Sequence, residues 1–417
     1  MGQKRFLLFI EVLITIIIIY SIMPIVSRLF STYLTTYTYM FVILVCLILI
    51  LISRGKQSFN EYAIVLIPFI IWKLFDYAVT MPSFILWGYS SLLDFAPIII
   101  GYFIITRMDY KKIKYFSVLI LLSLIVTSIT TIIGLQIYPD ASRYLATVAD
   151  ANETKNILYN FMNIGGYQFV YSLVLIYPVI IYGYKRKKIH LFFLIIFAGL
   201  TLFVILYSGY TIALLLFLIS TIFIFLRKNL SSRNVLIIII FALILLAIFY
   251  RYISDFFNFL ADIIDNKNIE ERLRALAGGR EGLEASDDNR LDLYLLSITT
   301  FLKNPLFGAM FNSDYYHYIG GHSFILDMLG LYGLFGLFLL VFMYRFIYKT
   351  FFKTYKNKTG YGFVFWMFLQ TIILSTVNTG MWLYVLCLYM PVILTFIDRG
   401  GHKDESTLGS KLNSQSI

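Results

Sequence analysis

The chain is 417 residues long, 60% of them hydrophobic and only 14% charged, with a formal net charge of +11. So apolar a composition excludes a water-soluble globular protein, whose core saturates while its surface must stay wet. The two cysteines, Cys46 and Cys387, both lie in apolar runs, so no disulfide framework or thiolate metal site is on offer.

The apolar runs have about the length that crosses a roughly 30 Å hydrocarbon layer as helix. Twelve follow in chain order: 6–27, 33–53, 61–80, 84–106, 115–135, 162–184, 189–207, 210–227, 234–251, 322–346, 361–379 and 381–397. The pattern predicts an all-α polytopic membrane protein. The first run is too long for a signal peptide and no small-residue cleavage site follows, so an uncleaved span is expected. The opening "MGQKRF" lacks the Ser or Thr of a myristoylation site.

Lysines and arginines gather in alternate connections: Arg54 and Lys56, Arg107 to Lys114, Lys185 to Lys188, Arg227 to Arg233, Arg345 to Lys358, and Arg399 to Lys411. The short connections between them hold only Arg28, Arg143 and Lys155. By the positive-inside rule both termini are cytoplasmic, the tail 398–417 included, and the chain is multi-pass in the cytoplasmic (inner) membrane. The basic excess thus serves as an inner-face anchor and calls for no nucleic-acid partner.

Four regions result: spans one to nine over 1–251 with a smaller outer loop at 136–161, a large extracytoplasmic loop at 252–321, three spans over 322–397, and the tail. A loop as long as 252–321 is usually functional or disordered. Helical patterning argues against disorder here. In "DDNRLDLYLLSITTFLKNPLFG" (287–308), Asp288 or Asn289 can cap a helix on which Leu291, Leu295, Ile298 and Phe301 or Leu302 recur at helical spacing. Asn304-Pro305 and Gly308 end it. Too short to span, it should lie along the membrane surface or under the loop. "NIEERLRALAGG" (268–279) reads as a second short helix.

Charges within the spans have a structural and a functional reading. Lys73 and Asp76, Asp94, and Glu11 suit a packing network, or a proton relay in a transporter. The pair Asp287-Asp288 serves as well for a helix cap as for a divalent ion, and no metal site is expected. At the outer face the arginines stand out, because a guanidinium keeps its charge near lipid and grips phosphate oxygens in pairs. Arg143 lies in the smaller loop, Arg290 opens the amphipathic helix, and Arg280 follows a Gly-Gly turn. Each has the alternative of a surface charge paired with an acid such as Asp140 or Asp288. His322 stands at the mouth of the tenth span and could accept a proton from an attacking hydroxyl, or simply cap the helix. Asp327 follows on a different helical face, for a structural or acceptor-orienting role. His317 could join the site, whereas His190 and His402 read as solvated.

His322-Ser323, nine further residues, then Gly333 and Gly336, resembles the motif of bacterial O-antigen ligases and Wzy-type O-antigen or capsule polymerases. The stretch "NRLDLYLLSITTFLKNPLFG" resembles the Arg-helix-Asn-Pro-Leu-x-Gly segment that precedes it there. Two departures are a Ser208-Gly209-Tyr210 sequence in place of Ser-Arg, and Ala309 in place of a second glycine after Gly308. The resemblance implies a GT-C-like membrane glycosyltransferase without cofactor or metal. It would act on an undecaprenyl-pyrophosphate-linked glycan among membrane lipids, with His322 as base and Arg143, Arg290 and Arg280 on the pyrophosphate. A chain-length regulator is a candidate partner. A polymerase extends a lipid-linked repeat unit, and a ligase differs only in its acceptor. The competing class is a lipid-linked-glycan flippase working through Lys73, Asp76 and Asp94.

Overall fold

The computed structural model describes residues 2–30, 45, 96–147, 153–225, 233–235, 237, 240–241, 250–263, 270, 274, 277, 290–312, 315–355, 361–380 and 382–399. The run at 61–80, all of 33–53 but residue 45, most of 84–106 and of 234–251, all of the helix expected at 268–279 but residues 270, 274 and 277, Asp287 to Asn289, Lys73, Asp76, Asp94 and His402 lie outside them. Every regular element described is helical.

In chain order the helices are α1 (Gly2–Ile22), α2 (Pro24–Phe30), α3 (Ala96–Arg107), α4 (Tyr110–Ile137), α5 (Ala141–Thr147), α6 (Thr154–Phe161), α7 (Tyr167–Lys185), α8 (Leu191–Ser208), α9 (Thr211–Phe225), α10 (Tyr250–Ile263), α11 (Arg290–Lys303), α12 (Phe324–Ile347), α13 (Tyr361–Val377) and α14 (383–399). Among the described residues, four stretches are long and apolar enough to cross a membrane: Tyr110–Ile137, Tyr167–Lys185, Leu191–Ser208 and Phe324–Tyr355. Four shorter apolar helices accompany them.

The helix α4 shows why this bundle suits lipid. Its large apolar residues Leu122, Val126, Ile129 and Ile133 are exposed, whereas Ser117, Thr127, Ser128, Thr131 and Gly134 are buried. That is the reverse of a helix on a water-facing globule. Water would drive the isoleucines inward, but hydrocarbon tolerates them outside and rewards small residues between helices. The buried hydroxyls are satisfied: Ser117 donates to the Ile113 and Val392 carbonyls at 2.8 and 3.2 Å, and Thr131 accepts from the Gly165 N–H at 2.8 Å.

By contrast α7 is buried on nearly every side from Phe169 to Gly183. It is the central post, packed by α8, α9, α13 and α14, and its uniformly apolar sequence fits that place. On one side of it, α9 and α13 are tied by Ser220. Its hydroxyl accepts from Trp366 Nε1 (3.0 Å) and Gln370 Nε2 (2.7 Å) and donates to the Leu216 carbonyl (2.7 Å). Ser220→Ala is expected to cost about 1–3 kcal/mol, because the Trp366 N–H loses its buried acceptor. A thermal melt of the purified protein measures it.

The bundle has a basic end and a loop-rich end. At the basic end Lys112 pairs with Glu11, Arg399 donates to the Ile105 carbonyl at 2.9 Å, and Arg186 approaches Asp398 at 3.8 Å. Glu11 is thus neutralised within the bundle. The other end carries α5, α6 and α11, the mouths of α7, α12 and α14, and the turn after α13.

Where α10 is described, it runs unbroken through 250–263, across the boundary expected between the ninth span and the loop. The helix expected in 287–308 is present as α11, but its burial is turned. Leu291, Leu295 and Leu302 are exposed, while Ser297 and Thr300 are buried against the segment that runs from Tyr318 to Asp327. Leu306, Phe307 and Phe311 extend the exposed apolar strip, which suits a helix lying on a lipid surface.

Candidate functional site

The site is built on a broken helix. Within α12, Gly333 adopts φ 62°, ψ −148°, a conformation open in practice to glycine alone. The break frees the Gly330 carbonyl on one side and the Leu334 and Phe335 N–H groups on the other, and in an apolar bundle these need partners. The segment after α11 supplies them. Ala309 N–H donates to the Gly330 carbonyl (2.9 Å), the Leu334 N–H to the Pro305 carbonyl (2.8 Å), and the Phe335 N–H to the Leu306 carbonyl (3.4 Å). The approach is close enough that a Cβ on Gly333 would stand 2.5 Å from the Pro305 carbonyl oxygen. One on Gly308, itself at φ 60°, would stand 2.4 Å from the Gly330 carbonyl oxygen. The Asn-Pro-Leu-x-Gly stretch and the glycine after His322 are therefore two halves of one joint.

The mouth of α12 is as tightly held. Ser323 is its N-cap, accepting from the Leu326 N–H at 3.0 Å, so His322 stands just ahead of the cap rather than on the helix. The Asp327 carboxylate accepts from Ser297 Oγ (2.6 Å), the Ser323 N–H (3.0 Å) and the Gly321 N–H (3.2 Å). Ser297 in turn accepts from the Gly320 N–H at 2.9 Å, and the Thr300 hydroxyl donates to the Tyr318 carbonyl at 2.6 Å. Asp327 is spent on fastening the chain on both sides of His322 to α11. Asp327→Asn is expected to lower stability by about 2–3 kcal/mol, since an amide cannot accept all three of these charge-strengthened bonds. Chemical or thermal unfolding of the detergent-solubilised protein would show it.

Amid this fastening the His322 ring is half-buried and, among the described residues, has no hydrogen-bond or ion-pair partner. A second tie turns the same mouth toward the rest of the bundle. The Phe324 N–H donates to the Asn378 carbonyl (2.9 Å), and the Tyr294 hydroxyl to the Val377 carbonyl (2.8 Å). The turn carrying Asn378 continues through Thr379 and Gly380 to Trp382 on the wall of a cavity of about 660 Å³.

Arg143 is on α5, half-buried, with its guanidinium donating to the Gly209 carbonyl at 3.4 Å. Its neighbour Ser142 meets Tyr210, whose hydroxyl donates to the Ser142 carbonyl at 3.1 Å. Two residues on, Leu145 and Ala146 line the same cavity. The helix of Arg143 and the turn fastened to the mouth of α12 thus contribute to one cavity, although neither Arg143 nor His322 is among its lining residues. Arg290 is the first residue of α11; its side chain, like the whole of Arg280, lies outside the described residues. His317 is exposed, in a single 3₁₀ turn (Tyr315–Tyr318). His190 is exposed ahead of α8.

Sequence reasoning missed the cavity wall. Asn156, Asn160 and Tyr167 sit where a loop meets an apolar helix, and Trp382 sits in what reads as the edge of the last apolar run. The only local signal was the clustering of amides and aromatics next to span ends.

Compared with known proteins, the chain matches no family model, no curated sequence and no solved structure.

Proposed function

We propose that the chain is a membrane glycosyltransferase, a polysaccharide polymerase with twelve spans and a GT-C-like plan. It would move an undecaprenyl-pyrophosphate-linked glycan chain onto a lipid-linked repeat unit at the outer face of the cytoplasmic membrane, without a metal. The observation that carries this reading is His322: an imidazole without a partner among the described residues, on a backbone immobilised from both sides, at the bundle end that also holds Arg143. The lysine and arginine distribution supports assigning that end to the outside.

In the step envisaged, the acceptor hydroxyl attacks the anomeric carbon of the donor and its proton passes to the His322 imidazole. The new C–O bond forms as the bond to the pyrophosphate oxygen breaks, and the electron pair leaves with undecaprenyl pyrophosphate. Guanidinium groups at Arg143 and Arg290 would stabilise that developing charge, which is worth most where water is sparse.

The test is purified protein in liposomes with undecaprenyl-pyrophosphate-linked repeat units. Lengthening of the glycan with release of undecaprenyl pyrophosphate is expected. Transbilayer movement of the substrate without lengthening would replace the enzyme with a flippase, and transfer only to another class of acceptor would make it a ligase. Arg143→Ala is expected to lower kcat by at least about tenfold, and Arg143→Lys by less, because lysine keeps the charge but not the paired donors.

A further inference from the structure

The side chain of Arg143 meets the turn that joins α8 to α9. Gly209 ends α8 in the left-handed region, at φ 68°, ψ 32°, with its N–H donating to the Ile205 and Leu206 carbonyls at 2.9 and 3.3 Å. Its own carbonyl accepts from the Arg143 guanidinium at 3.4 Å. Tyr210 stands next, at the head of α9, where its carbonyl takes the Leu214 N–H at 3.1 Å. Its hydroxyl donates to the Ser142 carbonyl at 3.1 Å and accepts from the Ser142 hydroxyl at 3.4 Å. Two consecutive residues of the turn therefore hold two consecutive residues of α5.

That turn is braced in its own right. The Tyr210 ring stands edge-on to Tyr167, with centroids 5.5 Å apart, and tilted against Tyr171 at 5.7 Å. Both partners lie in the first turns of α7, the central post, and Tyr171 is buried there. By contrast α5 is only seven residues long, too short to keep its shape by its own backbone hydrogen bonds. An arginine on α5 takes its orientation from whatever fastens α5 to the bundle. Here the fastening runs from the post through the Tyr210 ring and hydroxyl to Ser142, next to Arg143.

A guanidinium grips phosphate oxygens in pairs only when its planar fork is presented at the right angle, and its long stem has many rotamers. The Gly209 carbonyl occupies one guanidinium N–H and leaves the others for an anion. We infer that Tyr210 is a positioning residue for Arg143. Its hydroxyl fixes the α5 backbone at Ser142 and so keeps the guanidinium against the Gly209 carbonyl, in the orientation that meets the leaving group. The inference rests on the proposed function, in which Arg143 stabilises the departing pyrophosphate. A tyrosine that only packed α5 against α7 would need its ring and not its hydroxyl.

The test is a double-mutant cycle in the liposome lengthening assay, with Tyr210→Phe, Arg143→Ala and the two combined. Tyr210→Phe keeps the ring on Tyr167 and Tyr171, so the full-length protein should accumulate like the parent. It should lower kcat about three- to tenfold and change KM less than about twofold, since the charge Arg143 meets develops only as the carrier leaves. With Arg143 already replaced by alanine, adding Tyr210→Phe should change kcat by less than about twofold, because the group it positions is gone. A second readout needs no turnover. Modification of Arg143 by phenylglyoxal, followed by mass spectrometry, should run at least about threefold faster in Tyr210→Phe than in the parent, since a hydrogen bond that restrains it is lost. The inference fails if the two losses multiply in the double variant, or if Arg143 is modified at the same rate with and without the hydroxyl. Multiplied losses in a protein that does lengthen glycan keep the enzyme and remove only the role of Tyr210. A parent that lengthens nothing removes both.

Discussion

Gly333→Ala is expected to be among the most damaging single-methyl substitutions in the described part of the chain. Alanine would have to hold φ 62°, ψ −148°, a backbone region that costs non-glycine residues about 1–3 kcal/mol. Its Cβ would also press on backbone, the Pro305 carbonyl and Leu306, which has no rotamer to give. Relief requires drawing the 305–309 segment away from α12, which breaks the hydrogen bonds to Gly330, Leu334 and Phe335. Each polar group left unpaired in an apolar setting costs about 1–3 kcal/mol, so a total loss above about 3 kcal/mol is expected. The thermal midpoint in detergent should fall by several degrees or the protein should fail to accumulate. Gly199→Ala is the control: a Cβ there meets nothing within 4 Å, inside the regular helix α8. It should be neutral or stabilising by up to about 1 kcal/mol. A Gly333→Ala protein that melts with the parent would show that the joint between the two motifs does not hold the fold together.

His322→Ala should do the opposite, abolishing activity while leaving the fold intact. The ring has no partner among the described residues, and the fastening around it runs through Asp327, Ser297, Ser323 and backbone groups. Removing it takes away no hydrogen bond that those residues make. If the imidazole accepts the proton of the attacking hydroxyl, chain lengthening should fall by about 10²–10⁴-fold, the usual worth of a positioned general base. The melting curve should overlay that of the parent. Lengthening within twofold of the parent would remove His322 from the chemistry. On the proposed function the two variants form a pair: Gly333→Ala is expected to lose activity through the fold, and His322→Ala to lose it alone.

How far these features could be read in advance differs from one to the next. The runs at 115–135, 162–184 and 189–207 lie close to α4, α7 and α8, because hydrophobic length is a property of consecutive residues. The helix in 287–308 was legible in the same way, and Asn304-Pro305 ends it as its chemistry requires. Its buried face was not legible. A 3.6-residue apolar stripe signals a helix, but whether that stripe meets protein or lipid depends on what lies beside it. Here Ser297 and Thr300 have the buried hydrogen-bond partners, and the leucines are left outside.

The candidate site divides along the same line. His322 drew attention through its residue type and position, and the glycines around it through their spacing. That Gly308 and Gly333 serve one joint, that Asp327 is bound to α11, and that the helix of Arg143 and the turn after α13 reach one cavity are relations between residues far apart in sequence. The chain alone determined a helical membrane body, because burial in hydrocarbon is decided by the apolar content of each run taken by itself. Only the tertiary structure decided which polar groups are spent and which are free, because a hydrogen bond needs a partner within about 3 Å in space, wherever that partner lies in the sequence.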